Sequence, residues 1–375
     1  MTLAQQGNQG ILDGFILAHD GLAHIVEQSA DHLTGFEHKR DLRSFHRRKR
    51  RNVAISGKRS FPPASILHRG GIWQASPPAL AKPPGMGYNR GITEVKSTQE
   101  EVSAVQKHPV PDSIHPECWA NALATRALGK GSICYAREMT STNVVLRQMA
   151  REGAPHGSLC LCETQSAGKG RLGRSWHSPE GQGLWLSVLL RPQLAPAQSP
   201  LITLCAALAM QRAVSRTCGV QPAIKWPNDL VLTDKKLCGV LLEMSATPER
   251  LDWVIVGTGL NTGSGAYPPE LAHQATSLQD HGVMIPRREI LAAYLPELED
   301  VISRLAQEGF SGLMQEYMDK SCTIGRRVKV SGSVTLEGVA VGLDESGALK
   351  VQTDDGQEHI VLSGDVSVRG VMGYV

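Results

Sequence analysis

Residues 165–185, "QSAGKGRLGRSWHSPEGQGLW", bring Gly168, Gly170 and Gly173 together with Lys169, Arg171, Arg174 and Trp176. Glycines let backbone N–H groups come close to an anion, and a guanidinium can grip two phosphate oxygens at once. A mobile basic loop of this kind can also close over a bound ligand and exclude water. A second stretch, "KWPNDL" (225–230), is followed by Lys235, Lys236 and Gly239. It predicts Lys225 on a strand, a turn at Asn228 and Asp229, and lysines on the returning strand aimed at the same mouth. Asp229 adds one carboxylate, able to orient a lysine or to help hold Mg²⁺. "GTGLN" (257–261) places Asn261 at a strand end behind two permissive glycines, and "STN" puts Ser141, Thr142 and Asn143 at a helix start, where the plain reading is an N-cap. Together these residues suit chemistry in which anions are held and their charges offset.

Gly168, Gly170 and Gly173 also satisfy G-x-G-x-x-G, which marks a dinucleotide site only when a strand precedes and a helix follows directly. Here Pro179, Gly181 and Gly183 follow and forbid a stable helix, so the dinucleotide reading fails.

The elements that must carry these residues show in the patterning. Strands are predicted at 130–138, 157–165, 183–192 and 251–261, and a hairpin from "AIKWPNDLVL" (223–232) and "KKLCGVLLEMS" (235–245). Helices are predicted at 116–128, 140–153, 199–218, 286–308 and 310–320, with Gly129 and Gly153 as stops. The last 55 residues alternate apolar and polar between turn residues, as a small β-barrel-like module would. The fold class is therefore α+β, a mixed and largely antiparallel sheet with helices. Three regions follow: a basic, Pro-rich extension over 1–110, a catalytic domain over 111–320 and a small β module over 321–375.

The 375 residues carry 39 Lys/Arg against 36 Asp/Glu, a net charge of +3. The basic surplus lies before residue 111 and mostly in "HKRDLRSFHRRKRR" (38–51), which reads as a solvated tail, although such runs also condense on nucleic acid. The stretch 61–87 holds three Pro-Pro pairs and reads as a linker. The apolar block "LITLCAALAM" (201–210) is too short to span a bilayer, and the N-terminus lacks a secretory pattern. All eight cysteines fall between Cys118 and Cys322 without a CxxC pair, and Cys160 and Cys162 read as small buried hydrophobes on one face of a strand. A reducing compartment, the cytoplasm, is expected.

In this order, "STN", "GKGRLGR", "KWPND…KKLCG" and "GTGLN" resemble the biotin protein ligases over about residues 112–375. Lys169 stands where that loop often has arginine, which keeps the charge but loses the planar fork, and Thr140 stands where an acidic residue often precedes "STN". The resemblance implies a biotin/lipoate ligase-like catalytic domain with an SH3-like C-terminal module. It implies ATP and Mg²⁺ as requirements, biotin as substrate and a biotin carboxyl carrier domain, such as that of acetyl-CoA carboxylase, as protein partner. Biotin would be adenylated to biotinyl-5'-AMP and then transferred to a lysine of that partner. Carried over by position, Ser141, Thr142, Asn143 and Gln165 would contact the biotin ring system. Lys169, Gly170 and Arg171 would cover biotin and the phosphates, and Trp176 would pack on the biotin tail. Lys236 would bridge the biotin carboxylate and the α-phosphate, with Arg171 as the second catalytic cation. Arg174, Lys225, Asn228, Asp229 and Asn261 would lie on the ATP side, Asp229 toward Mg²⁺.

Two rival readings remain in the sequence. One is a lipoate–protein ligase, against which "GKGRLGR" and "KWPND" argue. The other is a biotin-sensing transcriptional repressor. Residues 1–110 show no paired short helices about a Gly turn, so specific DNA binding is not expected. Membrane association is not expected either, and a homodimer is compatible with the sequence without being read from it.

Overall fold

The computed structural model describes residues 72–74, 112–331, 335–362, 365–368 and 371–372. The chain divides into two units, 1–66 and 67–375. The first lies outside the described residues, and with it the basic run 38–51; the extension predicted over 1–110 is described only at Ile72–Gln74.

An eight-stranded sheet organises the second unit. Its strands are β1 (Ile72–Gln74), β2 (Ile133–Met139), β3 (Leu159–Gln165), β4 (Gly183–Leu190), β5 (Ala223–Lys225), β6 (Asp229–Leu232), β7 (Lys235–Ala246) and β8 (Leu251–Asn261). They lie in the order β1-β2-β3-β4-β8-β7-β6-β5. β1, β2 and β3 run parallel, and every other neighbouring pair is antiparallel. Helix α1 (Thr142–Arg151) covers one face, over Cys134, Cys160, Leu189 and Ile255. The other face carries α2 (Ser199–Cys218) and α3 (Arg287–Glu308), which pack on each other and on Leu161, Leu186 and Val188. Helix α4 (Ser311–Asp319) follows α3. Every residue of β4 is buried because both faces of the sheet are covered there. The block 201–210 is indeed a buried helix, closed by Gly219 at φ +70°.

The C-terminal β module is a five-stranded antiparallel sheet of β9 (Arg327–Ser331), β10 (Leu336–Leu343), β11 (Leu349–Gln352), β12 (Glu358–Val361) and β13 (Asp365–Val368), ordered β12-β11-β10-β9-β13. Period-2 alternation sends Val328, Val330, Ala340, Leu349, Val351 and Val366 inward. It is tied to the large sheet. Ile224 N donates to Lys320 O (2.8 Å) and Cys322 N to Ile224 O (2.9 Å), so backbone pairing runs through the 320/321 boundary. The buried Trp226 donates its indole N–H to Gly347 O at 3.0 Å.

Three sequence expectations change. Residues 116–128 form two short 3₁₀ turns, Pro116–Cys118 and Ala120–Ala122, and then an irregular segment that bends at Arg126 and Ala127 instead of a helix. Glu299 on α3 accepts the backbone N–H groups of Arg126, Ala127 and Leu128, a tertiary anchor that overrides helix propensity. The turn expected within 223–232 returns into β6, and Lys235 and Lys236 begin a third strand, β7, instead of lying on the returning one. Pro227 has no N–H for a ladder, so the chain turns between β5 and β6 and Lys225 pairs with Asp229. The linker predicted over 61–87 contains β1, paired in parallel with β2.

Candidate active site

The four motif stretches meet where β3 ends, α1 begins, β5 turns into β6, β7 starts and β8 ends. The fourteen residues carried over from the resemblance line one cavity of about 450 Å³ there: Ser141, Thr142, Asn143, Gln165, Lys169, Gly170, Arg171, Arg174, Trp176, Lys225, Asn228, Asp229, Lys236 and Asn261. Lys235, expected to aim at the same mouth, is not among its lining residues, and its Nζ donates outside to Ala272 O at 2.8 Å. Val366 and Met372 of the C-terminal module line it too.

One end is polar and buried. Ser141 sits at the N-cap of α1, but its side chain makes no capping bond. Gln165 supplies the cap from β3 instead, its Oε1 accepting Thr142 N at 2.9 Å while its Nε2 donates to Ser178 Oγ at 2.8 Å. Both ends of the Gln165 amide are therefore fixed by protein. Ser187, on the fully buried β4, was not singled out in the sequence, because it stands alone in the apolar run "GLWLSVLL". Its hydroxyl donates to Asn143 Oδ1 at 2.6 Å and lies 2.7 Å from Thr142 Oγ1.

The floor is made of glycines. Gly239 on β7 pairs directly with Gly259 on β8, and Gly257 pairs with Ser187 across to β4. None has a positive φ, so permissive backbone is not why they are glycine. They are glycine for space: a Cβ on Gly239 or Gly259 would lie 2.9 or 2.6 Å from the Trp176 ring, and one on Gly257 would lie 2.2 Å from Asn143 Oδ1. Trp176 lies over this floor, edge-on to Trp185 with 6.5 Å between ring centroids.

The basic loop is a tight hairpin. Gly170 N donates to Arg174 O (2.7 Å) and Trp176 N to Gly168 O (2.9 Å). Gly168 must lack a side chain because a Cβ would lie 2.3 Å from Trp176 O. Leu172 at the tip has φ +55° and is 72% exposed. The hairpin reaches across to the β5–β6 turn, where Arg171 Nη1 donates to Asn228 Oδ1 at 2.8 Å. Asn228 Nδ2 in turn donates to Val240 O at 2.9 Å. Lys236 Nζ lies 2.8 Å from Asp229 Oδ1 and 5.3 Å from the centre of the Trp176 ring. At 2.8 Å the Lys236 ammonium compensates the 7%-exposed Asp229 carboxylate. Lys169, Arg171, Arg174, Lys225 and Lys236 thus surround the cavity against one carboxylate, Asp229. Such a site attracts anions and offsets repulsion between two of them.

The loop after β8 forms the remaining wall with Tyr267, Leu271, Gln274 and Ala275. Asn261 holds it, donating Nδ2 to Thr276 O at 3.0 Å. Asp280 pins it, accepting from Tyr267 Oη (2.5 Å) and from Ser277 N (2.8 Å). Burial pushes the Asp280 carboxyl up, but the bonds from Tyr267, Ser277 and Thr276 outweigh it and hold it below the usual aspartate range. A depressed folded-state value means that the pin is present at neutral pH and is lost only as pH falls through that value. Asp280→Asn is expected to let chymotrypsin cut after Leu271 about tenfold faster than in the wild type at neutral pH. Equal cleavage rates at neutral pH would show that the loop stays in place without the pin.

The comparisons with known proteins agree with this geometry. Residues 135–261 match the biotin/lipoate A/B protein ligase family and residues 323–369 the biotin protein ligase C-terminal domain. The bifunctional ligase/repressor BirA of Bacillus spizizenii is 33% identical over 278 residues, which cover 72% of this chain and 85% of that protein. The biotin–[acetyl-CoA-carboxylase] ligase of Mycobacterium tuberculosis is 34% identical, covering 68% of this chain and 97% of its own. A structure of Aquifex aeolicus biotin protein ligase in complex with biotin and ATP superposes with a TM-score of 0.56 at 30% identity, covering 63% of this chain and 98% of that one. The cation-ringed cavity, the sheet beneath it and the β module beside it are those of an enzyme, and the chain belongs to the biotin protein ligase family.

Proposed function

We propose that this ligase joins biotin to ATP as biotinyl-5'-AMP and then passes the biotinyl group to one lysine of a biotin carboxyl carrier domain, that of acetyl-CoA carboxylase. The observation that carries the reading is the ring of five cations and one carboxylate about a cavity whose far end is a buried polar pocket. In the first step a carboxylate oxygen of biotin bonds to the α-phosphorus of ATP and pyrophosphate leaves. In the second, a neutral lysine amine of the carrier attacks the anhydride carbonyl, AMP leaves, and the amine gives up a proton.

Lys236 stands where the two anions must approach each other, and Arg171, tethered to Asn228, is the second cation there. Ser141, Thr142, Asn143 and Gln165 form the pocket for the cyclic urea of biotin, with Trp176 over the tail. Lys169 and Gly170 belong to the loop above them. Arg174, Lys225, Asn228, Asp229 and Asn261 serve the ATP side. The loop that excludes water protects an anhydride that water would hydrolyse.

No cluster of three or more metal-ligating side chains occurs among the described residues. This suits Mg²⁺, which is bound mainly by substrate phosphates and one or two carboxylates. Asp229, which lines the cavity, is the carboxylate present to meet it. Mg²⁺ would offset charge on the phosphates of ATP. The eight cysteines are all thiols, and no described helix is long and apolar enough to cross a membrane; we place the enzyme in the cytoplasm.

Exchange of labelled pyrophosphate into ATP tests the reading. Exchange is expected with biotin and not with lipoate or with neither acid. Exchange driven by lipoate would make the chain a lipoate ligase, and none with either, from folded protein, would end the adenylation reading. Transfer is then tested with the isolated carrier domain as acceptor.

A further inference from the structure

The buried end of the cavity is organised from β4. Ser187 is completely buried and pairs across strands with Gly257. Asn143, 3% exposed, fills the space between these two residues. The Ser187 hydroxyl takes its Oδ1 at 2.6 Å, and the missing side chain of Gly257 makes room for the same amide. With Oδ1 engaged, Asn143 Nδ2 is left as a buried donor that no protein acceptor satisfies, in a residue that lines the cavity. An unsatisfied buried donor is costly, and such groups call for an explanation in a bound partner. Gln165 and Thr142 are already bonded to protein on the neighbouring side, whereas the Asn143 amide keeps a donor for a ligand.

We propose that Ser187 is a positioning residue for substrate selection: with Gly257 opposite, it holds Asn143 so that Nδ2 donates to the carbonyl oxygen of a cyclic urea. The inference rests on the biotin reading above and adds to it a residue that does not touch the substrate. A site built to hydrogen-bond one group rejects an analogue lacking it strongly, because the buried site group is then left unpaired. The best analogue is 2-iminobiotin, which has the same ring and acid tail but presents N–H where biotin presents C=O.

The test measures pyrophosphate exchange with biotin and with 2-iminobiotin, in the full-length wild type, Ser187→Ala and Gly257→Ala. Wild type is expected to prefer biotin strongly. In Ser187→Ala the KM for biotin should rise about tenfold, the worth of about 1.4 kcal/mol, while the KM for ATP holds and the preference over 2-iminobiotin shrinks by a similar factor. Gly257→Ala crowds the same amide from the facing strand and should give the same split, so the inference stays testable if one variant folds poorly. An unchanged biotin KM in Ser187→Ala, or equal losses for both acids, would overturn the role of Ser187 alone. No biotin-dependent exchange in the wild type would overturn the biotin reading and this inference with it.

Discussion

Lys236→Ala is expected to slow biotin-dependent pyrophosphate exchange by at least about 100-fold, with the fold intact by circular dichroism and thermal melting. Adenylation brings a carboxylate against a polyphosphate, and a fixed cation at their meeting point is worth more in the transition state than in either ground state. Lys236 is fixed: its Nζ lies 2.8 Å from Asp229 and over the Trp176 ring, and its side chain is 25% exposed. Its removal acts twice. The site loses a cation, and Asp229, 7% exposed, becomes an uncompensated negative charge facing two incoming anions. Lys236→Arg should recover part of the rate, because it restores charge with a different shape. A rate in Lys236→Ala equal to wild type would take Lys236 out of the chemistry.

How far the sequence disclosed this arrangement depends on the range of the forces involved. Local patterning was enough for β8, which runs over 251–261 as predicted, and for α2 over 199–218. Motif stretches far apart in the chain, carried by the family resemblance, named fourteen residues that the fold gathers about one cavity. Determinants supplied from elsewhere in the chain were not legible. The segment 116–128 reads as helix until Glu299, 173 residues from Arg126, takes its N–H groups. The glycines of "GTGLN" look like hinges in one dimension; only the facing Trp176 and Asn143 show that they are spaces. Ser187 has no local signal at all, and Asp280 acts on Tyr267 through a loop whose path the sequence does not state.

Gly259→Ala turns that last distinction into a measurement. Gly259 lies in the middle of a paired strand with Gly239 on one side and Trp185 on the other, and its φ is one that alanine adopts freely. Propensity alone would make the change stabilising, since glycine within a strand costs about 0.5–1 kcal/mol relative to alanine. Packing predicts the opposite sign. The new Cβ would lie 2.6 Å from Trp176 Cε2 and Nε1 and 3.0 Å from Cζ2, and the rigid indole has Trp185 at its edge. Trp176 N is also bonded to Gly168 O, so an indole forced off the floor carries the hairpin of Lys169, Arg171 and Arg174 with it. Overpacking of this kind costs about 1–3 kcal/mol, and a displacement of about 1 Å at a reacting centre can cost about 10²-fold in rate. Gly259→Ala should therefore melt lower than wild type and lose about 10²-fold in exchange. In a Trp176→Ala background the same substitution should cost no stability, a coupling that a double-mutant cycle reads directly. If Gly259→Ala instead raises the melting temperature and keeps its activity, Trp176 does not rest on this floor in solution, and the loop is held to the site without it.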